Sequence, residues 1–288
     1  TVHIAVPASE ILIRKKLGLE PVEVLEKLAE VLDIAKREGC VTTVGAEDAS
    51  RAEREFLKKI VSLAVDAGAV RFRYADTLGL LLPSQAYHEV LELGKFCSLP
   101  IDFHGHNDFG MAVANAVEAF HAGANVISCA ALGLGERAGH TSLEEFTGAL
   151  HFLMNEPLHI DFAALGKLLR CLSRFTGIPV PPHKPLFGRN AFTHSSGIHS
   201  DGQLKDRHCY EPIDPRKIGR KSLIIPGQYS GTAGVKHLAG GWGITLTDEQ
   251  AHRLIVRLQE VLASEPGHNV QKLFRHMLED EKKRVAES

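Results

Sequence analysis

Two histidines two positions apart, His104 and His106, lie in the segment Phe103-His-Gly-His-Asn-Asp-Phe-Gly110. On an extended strand alternate side chains share a face, so both imidazoles point the same way. Two neutral imidazoles converging on one point make half of a divalent-metal site. The apolar run Leu99-Pro-Ile-Asp-Phe leads into them, as the C-terminal end of a buried strand would. Parallel barrels build their chemistry at that end of the strands. His140 follows the glycine-rich turn Gly133-Leu-Gly-Glu-Arg-Ala-Gly139 and is the candidate third metal ligand, against a solvated loop histidine.

Other candidates fall at comparable places. Glu47 and Asp48 close one predicted strand, and Asp76 and Thr77 close the next. Glu47 reads as a site carboxylate and Asp48 as a helix N-cap. Thr77 can hydrogen-bond a substrate carboxylate. Arg137, between two glycines and beside Glu136, is either half of a loop-locking ion pair or an anchor for an anionic substrate. His199 and Tyr210 stand in a polar, glycine- and histidine-rich stretch, where both can transfer protons if held near a reacting carbon.

The elements that must position these groups repeat as strand then helix. Strands are predicted over residues 2–6, 41–46, 69–75, 101–106 and 126–132. Amphipathic helices are predicted over 22–38, 49–67, 84–95, 111–122 and 143–154. Gly39, Gly68 and Gly123 occupy helix C′ positions, and Ser142 with Glu145 has capping-box spacing. Each unit takes about 30 residues, the period of a (β/α)8 barrel. Five units are present, so the pattern predicts an α/β fold: a TIM barrel lacking about its first three βα units. The alternative is a complete five-stranded doubly wound sheet. The chain opens directly in a strand, as one cut in mid-domain would. The predicted organisation is a partial barrel over 1–155, a helix and Pro-rich linker over 156–186, and small α+β or helical subdomains over 187–288. The last comprise a lid-like region over 187–210 and helices over 248–263, opened by a Thr247…Gln250 capping box, and 270–286.

Composition is that of a globular chain: 288 residues, 44% hydrophobic, 24% charged, formal net charge −2. Such a balance argues against nucleic acid or an anionic membrane as partner. Five scattered cysteines without CxxC spacing favour reduced thiols and a cytoplasmic location.

Taken together, the motifs resemble the metal-dependent acyl-CoA Claisen condensation enzymes: the 2-isopropylmalate, homocitrate, citramalate and Re-citrate synthases. The matching pieces include His3 with Ser9, Gly45-Ala-Glu-Asp-Ala-Ser-Arg51, Ala75-Asp-Thr-Leu-Gly79, the His104 and Arg137 segments, Asn190 to Gly202, Tyr210-Glu-Pro and Gly227-Gln-Tyr-Ser-Gly231. The resemblance implies a TIM barrel followed by small subdomains, in a homodimer with swapped domains. It implies acetyl-CoA and a 2-oxo acid as substrates and a divalent metal, Mg²⁺, Mn²⁺ or Zn²⁺, as cofactor. Carried over residue by residue, His104 and His106 are metal ligands. Thr77, Ser9 and Arg137 contact substrate, and Glu47 is a site carboxylate. His199 and Tyr210 assist deprotonation of the acetyl methyl in the neighbouring subunit's site.

Two departures matter. His140 stands where isopropylmalate synthases usually carry Asn. An imidazole is softer than an amide oxygen and shifts preference toward Zn²⁺, Mn²⁺ or Fe²⁺. The family's Asp-Arg-Glu first strand, with a metal-binding Asp and a catalytic Arg, has no counterpart in this sequence. The chain therefore reads either as part of a homocitrate synthase-like acyltransferase, inactive alone, or as a binding remnant. A metal-dependent amidohydrolase places its HxH pair on the first strand and fits less well. Acyl-CoA lyases share the HxH strand, but the His199 to Tyr210 region is not expected in them.

Overall fold

The computed structural model describes residues 1–264 and 269–287. Five strands form one parallel sheet: β1 Val2–Pro7, β2 Thr42–Glu47, β3 Phe72–Asp76, β4 Ile101–Gly105 and β5 Val126–Ile127. Their spatial order is the chain order, β1-β2-β3-β4-β5, and every neighbouring pair is parallel. A doubly wound sheet reverses its order at a switch point. None occurs here, so the doubly wound alternative is set aside and the sheet is an arc of a barrel.

Side-chain alternation gives the sheet two unlike faces. The in-register rows Val44–Phe72–Ile101 and Ala46–Tyr74–Phe103 lie on one face and are buried. The opposite rows run His3–Thr43 and Gly45–Arg73–Asp102, with Ala75–His104 above them. The first face packs under helices α1 Pro21–Arg37, α2 Arg54–Asp66, α3 Pro83–Gly94, α4 Ala112–His121 and α5 Leu143–Phe152. Each helix supplies an apolar stripe at helical spacing, such as Val24, Leu28, Leu32 and Ala35 on α1. Burying such side chains contributes about 1.5–3 kcal/mol apiece. The second face is polar and concave, and it carries the candidate chemistry.

Differences from the predicted elements have local causes. β3 starts at Phe72, because Ala69 still bonds back to Ala64 in the closing turn of α2. β5 is only two residues long; Leu132 and Gly133 take left-handed conformations in a 3-10 turn at Ala131–Gly133. The helix predicted from 49 is broken. Asp48 is left-handed, Ala49–Arg51 forms a 3-10 turn, and α2 begins after extended Ala52 and Glu53. Gly39, Gly68 and Gly123 all have positive φ, as C′ glycines should. Ser142 occupies the N-cap of α5 in the extended conformation. A π-helical turn at Leu12–Leu17 was not foreseen.

The chain divides into two compact units, Thr1–His159 and Ile160–Ser288. In the second, α6 Phe162–Thr176 is capped by Asp161 and closed by left-handed Gly177. A short parallel pair follows, β6 Thr193–His194 with β7 Leu223–Ile224. The region read as an irregular lid contains α7 Gly197–Lys205, and α8 Thr232–Gly240 was also missed. Both are short and glycine-bearing, with weak apolar periodicity, so little in their sequence marks them as helices. Helices α9 Asp248–Ser264 and α10 Val270–Glu287 pack through Leu254, Leu258, Phe274, Met277 and Leu278. The Thr247–Gln250 capping box forms in both directions. Among the described residues, no helix is long and apolar enough to cross a membrane.

Candidate functional site

In the first unit, a cleft of about 280 Å³ opens on the polar face at the C-terminal ends of the strands. Its wall includes His3, Glu47, Arg73, Thr77, His104, His106 and Arg137. Strands β1 to β4 contribute mainly through the same alternation, which points His3, Gly45, Arg73 and His104 to this cleft and their neighbours to the helices.

His104 and His106 meet as the HxH spacing predicts, with their Nε2 atoms 3.2 Å apart. That is an ordinary separation for two imidazole nitrogens on one ion, each about 2.1 Å away. Burial, then the nearby His106 and Arg73, push His104 down to about 4, so it is a neutral imidazole at neutral pH. The Nδ1 atoms of His104, His106 and His140 are buried without a hydrogen-bond partner. The converging Nε2 atoms are what fit a borderline first-row ion.

His140 is beside the pair but does not complete it. Its ring centre lies 5.1 Å from that of His104 and 5.9 Å from that of His106. Among the described residues, no group of three or more His, Cys, Asp or Glu side chains is arranged to hold a metal ion. His104 and His106 are thus a converging pair with the candidate third ligand, His140, as a neighbouring imidazole. The cause is local. The His140 ring lies against Gly135, while its backbone N–H is tied to the Gly133 carbonyl. Burial lowers its pKa as well.

The other predicted residues separate. Glu47 is on the cleft wall, where Lys16 donates to both its carboxylate oxygens at 2.9 and 3.0 Å. Thr77 also lines the cleft, and its hydroxyl accepts from the Asp48 N–H at 2.8 Å. That leaves the hydroxyl proton free to donate. Arg137 forks onto Asp108 through Nε and Nη2, at 2.9 and 3.0 Å, and donates to the Thr77 carbonyl. Its partner is thus Asp108 on the β4 loop, while the neighbouring Glu136 is 4.0 Å away and largely exposed. Asp48 is no side-chain N-cap. It is fully buried and grips Arg51 in a two-pronged ion pair. Ser9 is buried, with its hydroxyl accepting from the Leu12 N–H in the π-helical turn, and it is not on the cleft wall. In this structure its hydroxyl serves the backbone of that turn.

Sequence reasoning missed the floor of the cleft. Asp102 is fully buried and accepts from Arg73 Nε at 2.9 Å and Ser128 Oγ at 2.9 Å, with Arg71 at 3.6 Å. His3 shares a hydrogen bond with Thr43 Oγ1 at 2.8 Å. The signal was available: Asp102, His104 and His106 are spaced by two, as are Arg73 and Thr77 with Ala75 between them.

In the second unit, α7 and the following turn bring His199 and Tyr210 together, with ring centres 4.3 Å apart and both side chains exposed. Gly202 makes room, since a Cβ there would come within 2.4 Å of the Tyr210 ring. Behind them, His194 Nε2 faces Glu211 Oε1 at 3.4 Å, both buried.

A family model described as HMGL-like matches residues 1–171, and one described as homocitrate synthase post-HMGL domain-like matches residues 186–266. The (R)-citramalate synthase of Methanocaldococcus jannaschii is 38% identical over 260 residues, covering 90% of this chain and 53% of its own. The 2-isopropylmalate synthase 2 of Caldanaerobacter subterraneus is 38% identical, covering 90% and 68%. This chain spans about half the length of most such curated relatives. Solved hydroxymethylglutaryl-CoA lyases from Pseudomonas aeruginosa and Brucella melitensis superpose with TM-scores of 0.55 and 0.52 at 17% identity. They cover 62% and 61% of this chain, and 63% and 65% of their own. The likeness establishes the α/β TIM-barrel type of fold. By the match over residues 1–171, the chain belongs to the HMGL-like family.

Proposed function

We propose, from the chain's place in the HMGL-like family, that the protein is an acyltransferase condensing acetyl-CoA with a 2-oxo acid. The observation that carries the reading is the convergence of His104 and His106 in a cleft that Thr77 and Arg137 also line.

His104 and His106 would hold the divalent ion, with His140 beside them. When bound, the ion supplies Lewis acidity toward a 2-oxo acid's carbonyl group. The remaining work falls to the chain's own groups. Thr77 can donate its free hydroxyl proton to the acid's carboxylate. Arg137, pinned by Asp108, places fixed positive charge on the wall where an anionic acid must enter. Glu47 offers a carboxylate whose present partner, Lys16, must give way if it is to act as a base. His199 and Tyr210, presented as a pair on the second unit, fit removal of the weakly acidic thioester α-proton. In this reading they serve the neighbouring subunit of a domain-swapped homodimer.

For the 2-oxo acid, the match to the homocitrate synthase post-HMGL segment supports 2-oxoglutarate. The activities named for the relatives support pyruvate or 2-oxoisovalerate equally well. The test is thiol release from acetyl-CoA by the protein carrying this chain, with 2-oxoglutarate, 2-oxoisovalerate, pyruvate and oxaloacetate in turn. One acid should stimulate release, and His104→Ala should abolish it. No stimulation by any of the four would refute the reading.

A further inference from the structure

The second unit buries a polar pair that adds little to stability. His194 Nε2 and Glu211 Oε1 are 3.4 Å apart, at the long limit of a hydrogen bond. The other carboxylate oxygen of Glu211, Oε2, is buried with no partner. His194 is 8% exposed and Glu211 4%. Taking a carboxylate and an imidazole out of water costs free energy that one long bond does not offset. The pair is nonetheless directional. Turning either side chain away would orphan both polar groups in the interior, so each fixes the other's rotamer.

What the pair adjoins gives that direction a use. Glu211 follows Tyr210 directly in the chain. Its N–H donates to the Arg207 carbonyl at 3.0 Å, closing the turn that presents Tyr210. His194 is held in β6, where its carbonyl accepts from the Ile225 N–H at 2.9 Å. The His194 ring meets the His199 ring edge-on, with centres 6.4 Å apart and planes at 76°. His199 in turn lies against Tyr210. One buried bond therefore links the backbone under Tyr210 to the ring behind His199.

The exposed rings need such support. Among the described residues, neither the His199 ring nor the Tyr210 hydroxyl has a hydrogen-bond partner. The Ser196 hydroxyl accepts from the His199 backbone N–H, which places the start of α7 and not the ring. An exposed ring without a partner samples several staggered rotamers. A group that transfers a proton must be held within about 0.5 Å of its productive place.

We infer that His194 and Glu211 are positioning residues: their buried pair sets the facing of His199 and Tyr210. Both act from beneath the exposed rings, through packing and backbone. The use of this device rests on the reading of His199 and Tyr210 as the groups that meet the thioester α-proton. The positioning itself is a property of the fold and is measured without turnover.

The protein carrying this chain is labelled with ¹³C in its histidine and tyrosine rings, and the nuclear Overhauser effect between the His199 and Tyr210 rings is measured. Glu211→Leu should abolish it. Glu211→Gln should retain it, since an amide oxygen still accepts from His194 Nε2–H. The double variant His194→Leu with Glu211→Met covers the case in which the single change fails to fold. It removes the buried polar pair outright, so its thermal midpoint should hold or rise while the ring contact is lost. A contact that survives in the double variant would overturn the inference. So would a midpoint that falls along with the contact, since the pair would then serve stability alone. Where thiol release is measurable, Glu211→Leu should lower kcat by up to about a hundredfold, with KM for the 2-oxo acid unchanged. If the contact is lost and kcat stays the same, the positioning stands and the proton-transfer reading of His199 and Tyr210 falls. If no 2-oxo acid supports thiol release at all, the condensation reading falls and the ring measurement still decides the positioning.

Discussion

His104 and His106 face each other through Nε2 at 3.2 Å, while the Nδ1 atom of each is buried without a partner. Neither imidazole is satisfied by protein alone. Burial keeps His104 neutral, so an incoming ion has no proton to displace there. The pair should bind Zn²⁺ or Co²⁺ in equilibrium dialysis, and His104→Ala should lower affinity at least tenfold.

The same desolvation sets a pH dependence. An unfolded histidine titrates near 6.5, whereas folded His104 is pushed down to about 4, and His140 is lowered too. Between those values the unfolded chain binds more protons, so acid favours unfolding. The contribution is fully present above about pH 6.5 and is lost as pH falls toward 4. Urea midpoints should therefore drop between pH 7 and 5, and His104→Gln should flatten the drop. A profile unchanged by that substitution would contradict a buried neutral imidazole.

Asp102 holds the floor of the cleft together. Replacing it with Ala leaves Arg73 and Arg71 facing a buried, uncompensated position. A loss of about 2–4 kcal/mol is expected in urea unfolding, at the low end of a broken buried pair because both arginines are partly exposed. Adding Arg73→Met should recover part of it. Additive losses in the double variant would show that the two residues do not interact.

Arg137 ties the loop after β5 to Asp108 and to the Thr77 carbonyl. The pair is partly exposed, so its contribution to global stability is small, about 1 kcal/mol or less. Its effect is local. Arg137→Lys, which cannot fork, should raise amide exchange over residues 133–140 with little change in thermal midpoint.

Gly139 and Gly123 both have positive φ, yet their substitutions should differ. A methyl group at Gly139 would lie 1.9 Å from the Gly133 carbonyl oxygen, whereas at Gly123 it meets nothing within 4 Å. Gly123→Ala should cost about 1 kcal/mol, from backbone strain alone. Gly139→Ala should cost more, and it should move His140 and reduce metal affinity, as paired thermal melts and dialysis would reveal.

Much of this protein is legible in its amino-acid order. The strand–helix period, the C′ glycines and the HxH spacing are local, and local geometry follows from propensity and alternation. They determined the parallel α/β architecture and the shared face of His104 and His106. Tertiary packing decided the rest. It made Asp48 an ion-pair partner of Arg51, buried Ser9 in a turn, matched Arg137 with Asp108 29 positions away, and left His140 outside a closed ligand set. It also placed α7 and α8 where sequence periodicity was weak. Which carboxylate meets which cation, and whether a side chain reaches the cleft, depends on strand register and loop path. Residues distant in sequence set those jointly, so no window of the chain encodes them.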